Sequence, residues 1–208
     1  MILCASSILP TAENTVSSEV KCSLAIFASG TGSNAEQICT YFQDHSTTRV
    51  RLIVTNRMHA GVLDVASKHH IDAAYIPKLM WDEPEHVLPL LESKSITHII
   101  LAGFLLLIPS WLVNAYKGRI LNIHPALLPK YGGKGMFGSY VHQRVKNAGD
   151  LVSGITIHEV NENYDEGDIV FQTSVDLLPD DNASDIAAKV LKLEHYHYPQ
   201  VIEEWVSK

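Results

Sequence analysis

Asn122 and His124 stand two residues apart in ILNIHPALLPKYGGKG, residues 120–135. An amide and a titratable imidazole together suit acyl transfer. The amide can donate to a carbonyl oxygen as it becomes an oxyanion, and the imidazole can carry a proton. The run that holds them is apolar and strand-like. Pro125 biases His124 toward an extended backbone in line with that strand, and period-two alternation turns Asn122 and His124 to one face. A second chemical element is NENYDEGDIVFQ, where Asp165, Glu166 and Asp168 cluster around a glycine between two strand-like runs. This is either a solvated acidic turn or the source of one carboxylate that folds back on His124, orients the ring and stabilises its imidazolium.

A third element is FASGTGSNAEQI, residues 27–38. Gly30 and Gly32 allow a tight turn and close backbone approach. Ser33 with Glu36 three residues later has the pattern of a capping box. Ala35, Ile38, Cys39 and Phe42 follow at helical spacing. A glycine turn that opens a helix offers N–H groups to an anion, typically phosphate. The stretch is no dinucleotide fingerprint: Ala35 stands where that pattern needs glycine, and the second strand ends in VTNR, without an acidic residue.

These residues need a frame. Short apolar runs at 22–28, 49–56, 97–103 and 119–123 alternate with helical patterns at about 33–43, 60–70, 84–94 and 109–116. That alternation predicts an α/β fold: a Rossmann-like, mostly parallel sheet covered by helices on both faces. Past Gly138 the pattern changes. SGITIHEV and IVFQTSVDL alternate apolar and polar residues and read as antiparallel strands, and a closing helix is expected over about 183–206. Residues 21–208 read as one domain with a soft subdivision near 132–138, and residues 1–20 as a disordered extension without a signal-peptide pattern.

Composition narrows the function. The chain has 208 residues, 46% of them hydrophobic and 19% charged, which suits a globular protein with a sizeable core. A net charge of −7 argues against general nucleic-acid binding, so an anionic substrate needs a local pocket. Three cysteines without a CxxC pair exclude a disulfide scaffold and a zinc ribbon, and the expected compartment is the cytoplasm. No apolar run approaches the roughly 20 residues of a membrane span. His195 and His197 lack the spacing of a metal face, and no metal is expected.

FASGTGSNAEQI, VTNR, ILAGFLLLIP, RILNIHPALLPKYGGKG, SGITIHEVNENYDEGDIVFQ and KLEHYHYPQVIEEW occur in that order and cover about 22–206. Together they resemble the glycinamide ribonucleotide formyltransferase family, within the folate-dependent formyltransferases. The resemblance implies formyl transfer from 10-formyltetrahydrofolate to the amine of 5'-phosphoribosylglycinamide, in purine synthesis. It implies Asn122, His124 and Asp165 as the catalytic trio. Gly30, Thr31, Gly32, Ser33 and Asn34 would hold the phosphate, and Leu191, Lys192, Leu193 and Glu194 would lie near the ribose and glycinamide. Leu105, Leu106, Leu107 and Ile108, with Asn122, Asn161, Glu162, Asn163, Tyr164 and Asp165, would line the folate site. Thr156 and His158 would support it, and Leu128–Pro129 would be cis.

The sequence departs from the family where Leu106 stands in place of a frequent basic residue, and where GGKGMFGSYVH replaces a commoner PG variant. The rivals are another folate-dependent formyltransferase, a formyltetrahydrofolate hydrolase and a non-catalytic nucleotide-binding module. The expected partners are small molecules only, with the protein a monomer or homodimer.

Overall fold

Near-continuous apolar strands are stable only where both of their faces are covered, and the core shows how this is done. In the first strand, Leu24 and Ile26 join one buried cluster, while Ala25 and Phe27 join another on the opposite face. The computed structural model describes residues 20–208. The expected extension therefore lies outside the described residues, Val20 excepted.

Among the described residues seven strands make one sheet: β1 (Cys22–Phe27), β2 (Thr48–Thr55), β3 (Asp72–Tyr75), β4 (His98–Leu101), β5 (Ile120–His124), β6 (Val152–Glu159) and β7 (Ile169–Asp176). Their order is β3-β2-β1-β4-β5-β6-β7. The first five pair parallel, and β6 and β7 add antiparallel. The helices are α1 (Ser33–Phe42), α2 (Val62–Lys68), α3 (Leu88–Ser93), α4 (Ser110–Ala115), α5 (Ser139–Ala148) and α6 (Ala183–Val206). Residues of α1, α2 and α6 pack on the cluster that holds Leu24 and Ile26, and Leu91 of α3 and Leu112 of α4 on the other. The strand order reverses between β1 and β4, where an open α/β sheet leaves a crevice at its carboxyl ends. Asn122 and His124 end the next strand along.

The expected strands, the antiparallel pair and the closing helix are all present. Two elements were absent from the sequence reading. β3 is a four-residue edge strand, DAAY, mostly exposed and built on alanines that carry little strand signal. α5 is polar (SYVHQRVKNA) and buries only Val141, His142 and Val145. The helix expected at 84–94 is a 3-10 turn at Pro84–His86 followed by α3.

The capping box expected at Ser33 is a correction. The chain enters α1 through Gly32 in the left-handed region, at φ 83, and no side chain caps the helix. Ser33 is thus already helical, and its hydroxyl does not precede the amides that a cap must reach. Glu36 turns away to Lys68 and His69, at 2.5 and 3.1 Å, and ties α1 to α2. A true capping box opens α6: Asn182 Oδ1 accepts from the backbone of Ser184 and Asp185, and Asp185 Oδ2 accepts from Asn182 N–H.

Candidate active site

The crevice is braced at its base by Ser29, which follows β1 and is 1% exposed. Its hydroxyl donates to Asn56 Oδ1 at 2.6 Å and accepts from Leu105 N–H at 3.0 Å. One side chain so links the ends of β1, β2 and β4. Next to it, a Cβ on Gly32 would stand 2.8 Å from Val62 Cα, besides requiring the left-handed backbone. Gly32→Ala is therefore expected to lower stability by about 1–3 kcal/mol, read as a shifted denaturation midpoint. An unchanged midpoint would mean that α1 can be entered another way. The same collision makes Gly32→Val unsuitable as a probe of phosphate binding, because it strains the fold itself.

Asn122 and His124 reach one cleft, as alternation along β5 requires. The cleft has a volume of about 290 Å3. His158, on β6 opposite Asn122, donates Nδ1–H to the carbonyl of Glu159 at 2.8 Å. Its Nε2 is then the lone-pair nitrogen and accepts from Asn122 Nδ2 at 3.1 Å. This orients the amide and leaves its second hydrogen for the cleft. His124 Nε2 lies 2.8 Å from the carbonyl of Tyr131, so it carries the proton of the neutral ring. His124 Nδ1 lies 3.6 Å from Asp165 Oδ2, too long for a hydrogen bond but close enough for a charge contact.

Asp165 serves two rings: Oδ1 lies 3.7 Å from His158 Nε2. Its Oδ2 also accepts from Gly133 N–H at 2.9 Å. Burial alone would raise the carboxyl's pKa, but the charge of His124 and the Gly133 amide hold it below the ordinary value. For His124 the balance is reversed. Burial lowers its pKa below the ordinary value, while Asp165 and the Tyr131 carbonyl pull it upward. The expected effect of Asp165 thus has the anticipated sign, yet burial outweighs it. Tyr131 and Asp165, which both address His124, adopt left-handed backbone at φ 59 and 57. Such strain costs on the order of 1 kcal/mol or more per residue and gathers at functional sites.

Thr156 lies behind the proline loop and is fully buried. Its hydroxyl donates to the Ala126 carbonyl at 2.7 Å, and accepts from Leu128 N–H at 2.9 Å and from Gln172 Nε2 at 2.8 Å. Gln172 also reaches the Leu128 carbonyl at 3.1 Å. The Leu128–Pro129 bond is cis. Sequence reasoning missed Gln172, a single polar residue in an alternating strand, and also Ser29 and His142. A buried-polar signal could have flagged Ser29, set in an apolar run.

Leu105, Leu106, Leu107, Ile108, Asn161, Asn163, Tyr164, Asp165, Asn34 and Glu194 line the cleft beside the central pair. Glu162 lines a separate hollow with Lys117 and Asp168. Leu106 packs on the α3–α4 side of the core. Glu194 is buried and accepts from Asn34 Nδ2 at 2.7 Å, joining α6 to α1, and burial raises its carboxyl pKa against that bond. One turn further on, Tyr198 is fully buried, with its hydroxyl 2.9 and 3.2 Å from the carbonyls of Leu101 and Leu121. It fixes the turn of α6 that presents Glu194. Leu191 and Lys192 are exposed, and Leu193 packs on the core. Gly30 and Thr31 are exposed, Gly32 is buried and Ser33 half-buried, and of this predicted phosphate loop Asn34 alone lines the cleft.

The formyl transferase family matches residues 22–202. A protein of Arabidopsis thaliana named phosphoribosylglycinamide formyltransferase, chloroplastic, is 40% identical over 86% of this chain, and the match spans 63% of its own length. The phosphoribosylglycinamide formyltransferase of Bacillus subtilis is 35% identical, over 86% of this chain and 92% of its own. The crystal structure of phosphoribosylglycinamide formyltransferase from Brucella melitensis superposes with a TM-score of 0.80 at 33% identity, covering 90% and 96% of the two chains. With Asn34 of α1, the Asn–His strand end and the acidic loop brought to one crevice, the chain belongs to the formyl transferase family, among the phosphoribosylglycinamide formyltransferases.

Proposed function

We propose that this chain transfers the formyl group of 10-formyltetrahydrofolate to the amine of 5'-phosphoribosylglycinamide, a step of purine synthesis. The observation that carries the proposal is the cleft itself: an oriented amide and a carboxylate-tuned imidazole lie between an apolar rim and an uncapped helix start. Leu107, Phe137 and Tyr164 are 43, 50 and 36% exposed on that rim. A flat aromatic ligand would cover them, and this fits the reduced folate. The start of α1, with Asn34 and Glu194, fits the ribonucleotide. No described helix is long and apolar enough to cross a membrane, and both substrates are water-soluble small molecules.

In this reading the amine attacks the formyl carbon and negative charge gathers on the formyl oxygen. The spare hydrogen of Asn122 Nδ2 donates to that oxygen. His124, protonated at Nδ1 beside Asp165, gives that proton to the departing folate nitrogen as the formyl–nitrogen bond breaks, and Nδ1 takes up the proton that the attacking amine loses, while Nε2 stays bound to the Tyr131 carbonyl. Removing one oxyanion donor costs about 2.7–4 kcal/mol in comparable sites.

The test mixes the protein with 10-formyltetrahydrofolate and a panel of amines and follows tetrahydrofolate release. Release only with 5'-phosphoribosylglycinamide supports the proposal. Release without any amine indicates a hydrolase, release with another amine a different formyltransferase, and no release a binding module. The phosphate assignment has its own probe. Gly30 has an ordinary φ, and a Cβ there would meet nothing within 4 Å. Gly30→Val should fold normally and raise the KM for the ribonucleotide about tenfold or more, equal to 1.4 kcal/mol, with the folate KM unmoved. A raised folate KM instead would refute the assignment.

A further inference from the structure

Three imidazoles face the cleft, and two are committed to protein groups. His158 uses both nitrogens, on the Glu159 carbonyl and on Asn122. His124 spends Nε2 on Tyr131 and turns Nδ1 to Asp165. His142, in the second turn of α5, differs. It lines the same cleft and is only 7% exposed. Among the described residues neither of its ring nitrogens has a hydrogen-bond partner, and Nδ1 is sealed from solvent. Buried polar groups nearly always have partners. An orphan imidazole at the wall of a cleft therefore marks a contact that a ligand completes.

The ring's state follows from its surroundings. Burial, and then the positive charge of His124, hold its pKa below the ordinary histidine value, so it stays neutral near pH 7. A proton on the sealed Nδ1 would have no acceptor, which places it on Nε2. His142 is thus a neutral N–H donor whose charge does not compete with the imidazolium of His124.

In the reacting state His124 directs its Nε2–H to the Tyr131 carbonyl and its Nδ1 proton to the departing nitrogen, so neither is left for the oxyanion. Asn122 offers a single spare hydrogen. Oxyanion sites commonly rely on more than one preorganised donor. We infer that His142 is the second donor: its Nε2–H binds the formyl oxygen beside Asn122 as charge develops there. This rests on the formyl-transfer reading. His142 neither gains nor loses a proton in the step; it contributes a hydrogen bond that strengthens as the oxygen becomes negative.

The experiment compares wild type, His142→Phe and His142→Gln in steady-state kinetics with both substrates, each checked by thermal unfolding. His142→Phe removes the donor, and kcat should fall about 10²–10³-fold with both KM values little changed. The amide nitrogen of glutamine can stand near the position of Nε2, so His142→Gln should recover most of that loss with the wild-type pH profile. Equal losses in both variants, or wild-type kcat in a folded His142→Phe protein, would overturn the inference. If the phenyl ring lowers the unfolding midpoint, His142→Leu takes its place with the same expectations. An inactive wild type would instead count against formyl transfer itself.

Discussion

Asn122→Ala is expected to fold and to turn over about 10²–10³-fold more slowly than wild type, with both KM values nearly unchanged. The substitution keeps the backbone pairing of β5 with β4 and β6. It removes one hydrogen bond to His158, worth about 1 kcal/mol of stability. Its kinetic effect is larger because the donor is oriented before reaction. His158 Nε2 holds the amide in one of its two flips, and no reorganisation is needed as charge develops. The variant also leaves His158 Nε2 without its hydrogen-bond partner, 3.7 Å from Asp165 Oδ1. Wild-type kcat in a folded Asn122→Ala protein would exclude the oxyanion role.

Asp165→Asn should be the second severe variant, and its backbone cost should be small. Asparagine tolerates the left-handed φ of 57 that Asp165 adopts better than most residues do, and its amide oxygen can still accept from Gly133. What disappears is charge. Two unit charges 4 Å apart interact by about 4 kcal/mol at an effective dielectric constant of 20. Water and neighbouring dipoles recover part of this, so the rate should fall about 10²-fold, or roughly 2.7 kcal/mol. In hydrolase triads the same exchange costs about 10⁴-fold because the histidine takes the wrong tautomer. Here the Tyr131 carbonyl fixes the tautomer independently, which makes the loss smaller.

The accompanying titration has a definite sign. His124 is already pushed down by burial, and Asp165 opposes that push. Without Asp165 the pKa of His124 should fall further, and less imidazolium should exist at any given pH. An NMR titration that leaves His124 unmoved in Asp165→Asn would refute the coupling, while Asp168→Asn should leave it in place. Stability follows the same logic. Asp165 has a depressed native pKa, so its contribution is present above about pH 3.8 and lost as pH falls through the native value. Asp165→Asn should lack that acid limb. His124 adds a loss that begins below about pH 6.5, because the unfolded ring protonates first.

The parts legible in the sequence were those with a strong local signal. β5 and its Asn–His pair could be read because apolar alternation and Pro125 act within a few residues. α6 could be read from its long amphipathic run. What escaped depends on distant partners. Ser33 looked like a cap because the sequence does not reveal that Gly32 takes a left-handed turn against Val62. β3 exists only through its pairing with β2. Glu166 and Asp168 were as plausible as Asp165 on residue types alone; the family resemblance favoured Asp165, and the turn of the loop places that carboxylate against both His124 and His158. His142 carries no signal at all until α5 closes over the cleft.

Four of the side chains that hold this site in shape end on main-chain atoms: His124 on the Tyr131 carbonyl, Asp165 on the Gly133 amide, Thr156 on the Ala126 and Leu128 peptides, and His158 on the Glu159 carbonyl. Peptide groups are the same whatever side chain they bear. Between Ala126 and Gly133 these hydrogen bonds therefore constrain the spacing of the chain and leave the choice of side chain to packing and backbone conformation. Removing or inserting a single residue there would put the Leu128, Tyr131 and Gly133 peptides out of step with their partners and uncouple His124 from Asp165. Drift in this segment should accordingly accumulate as substitutions, while changes in its length are purged.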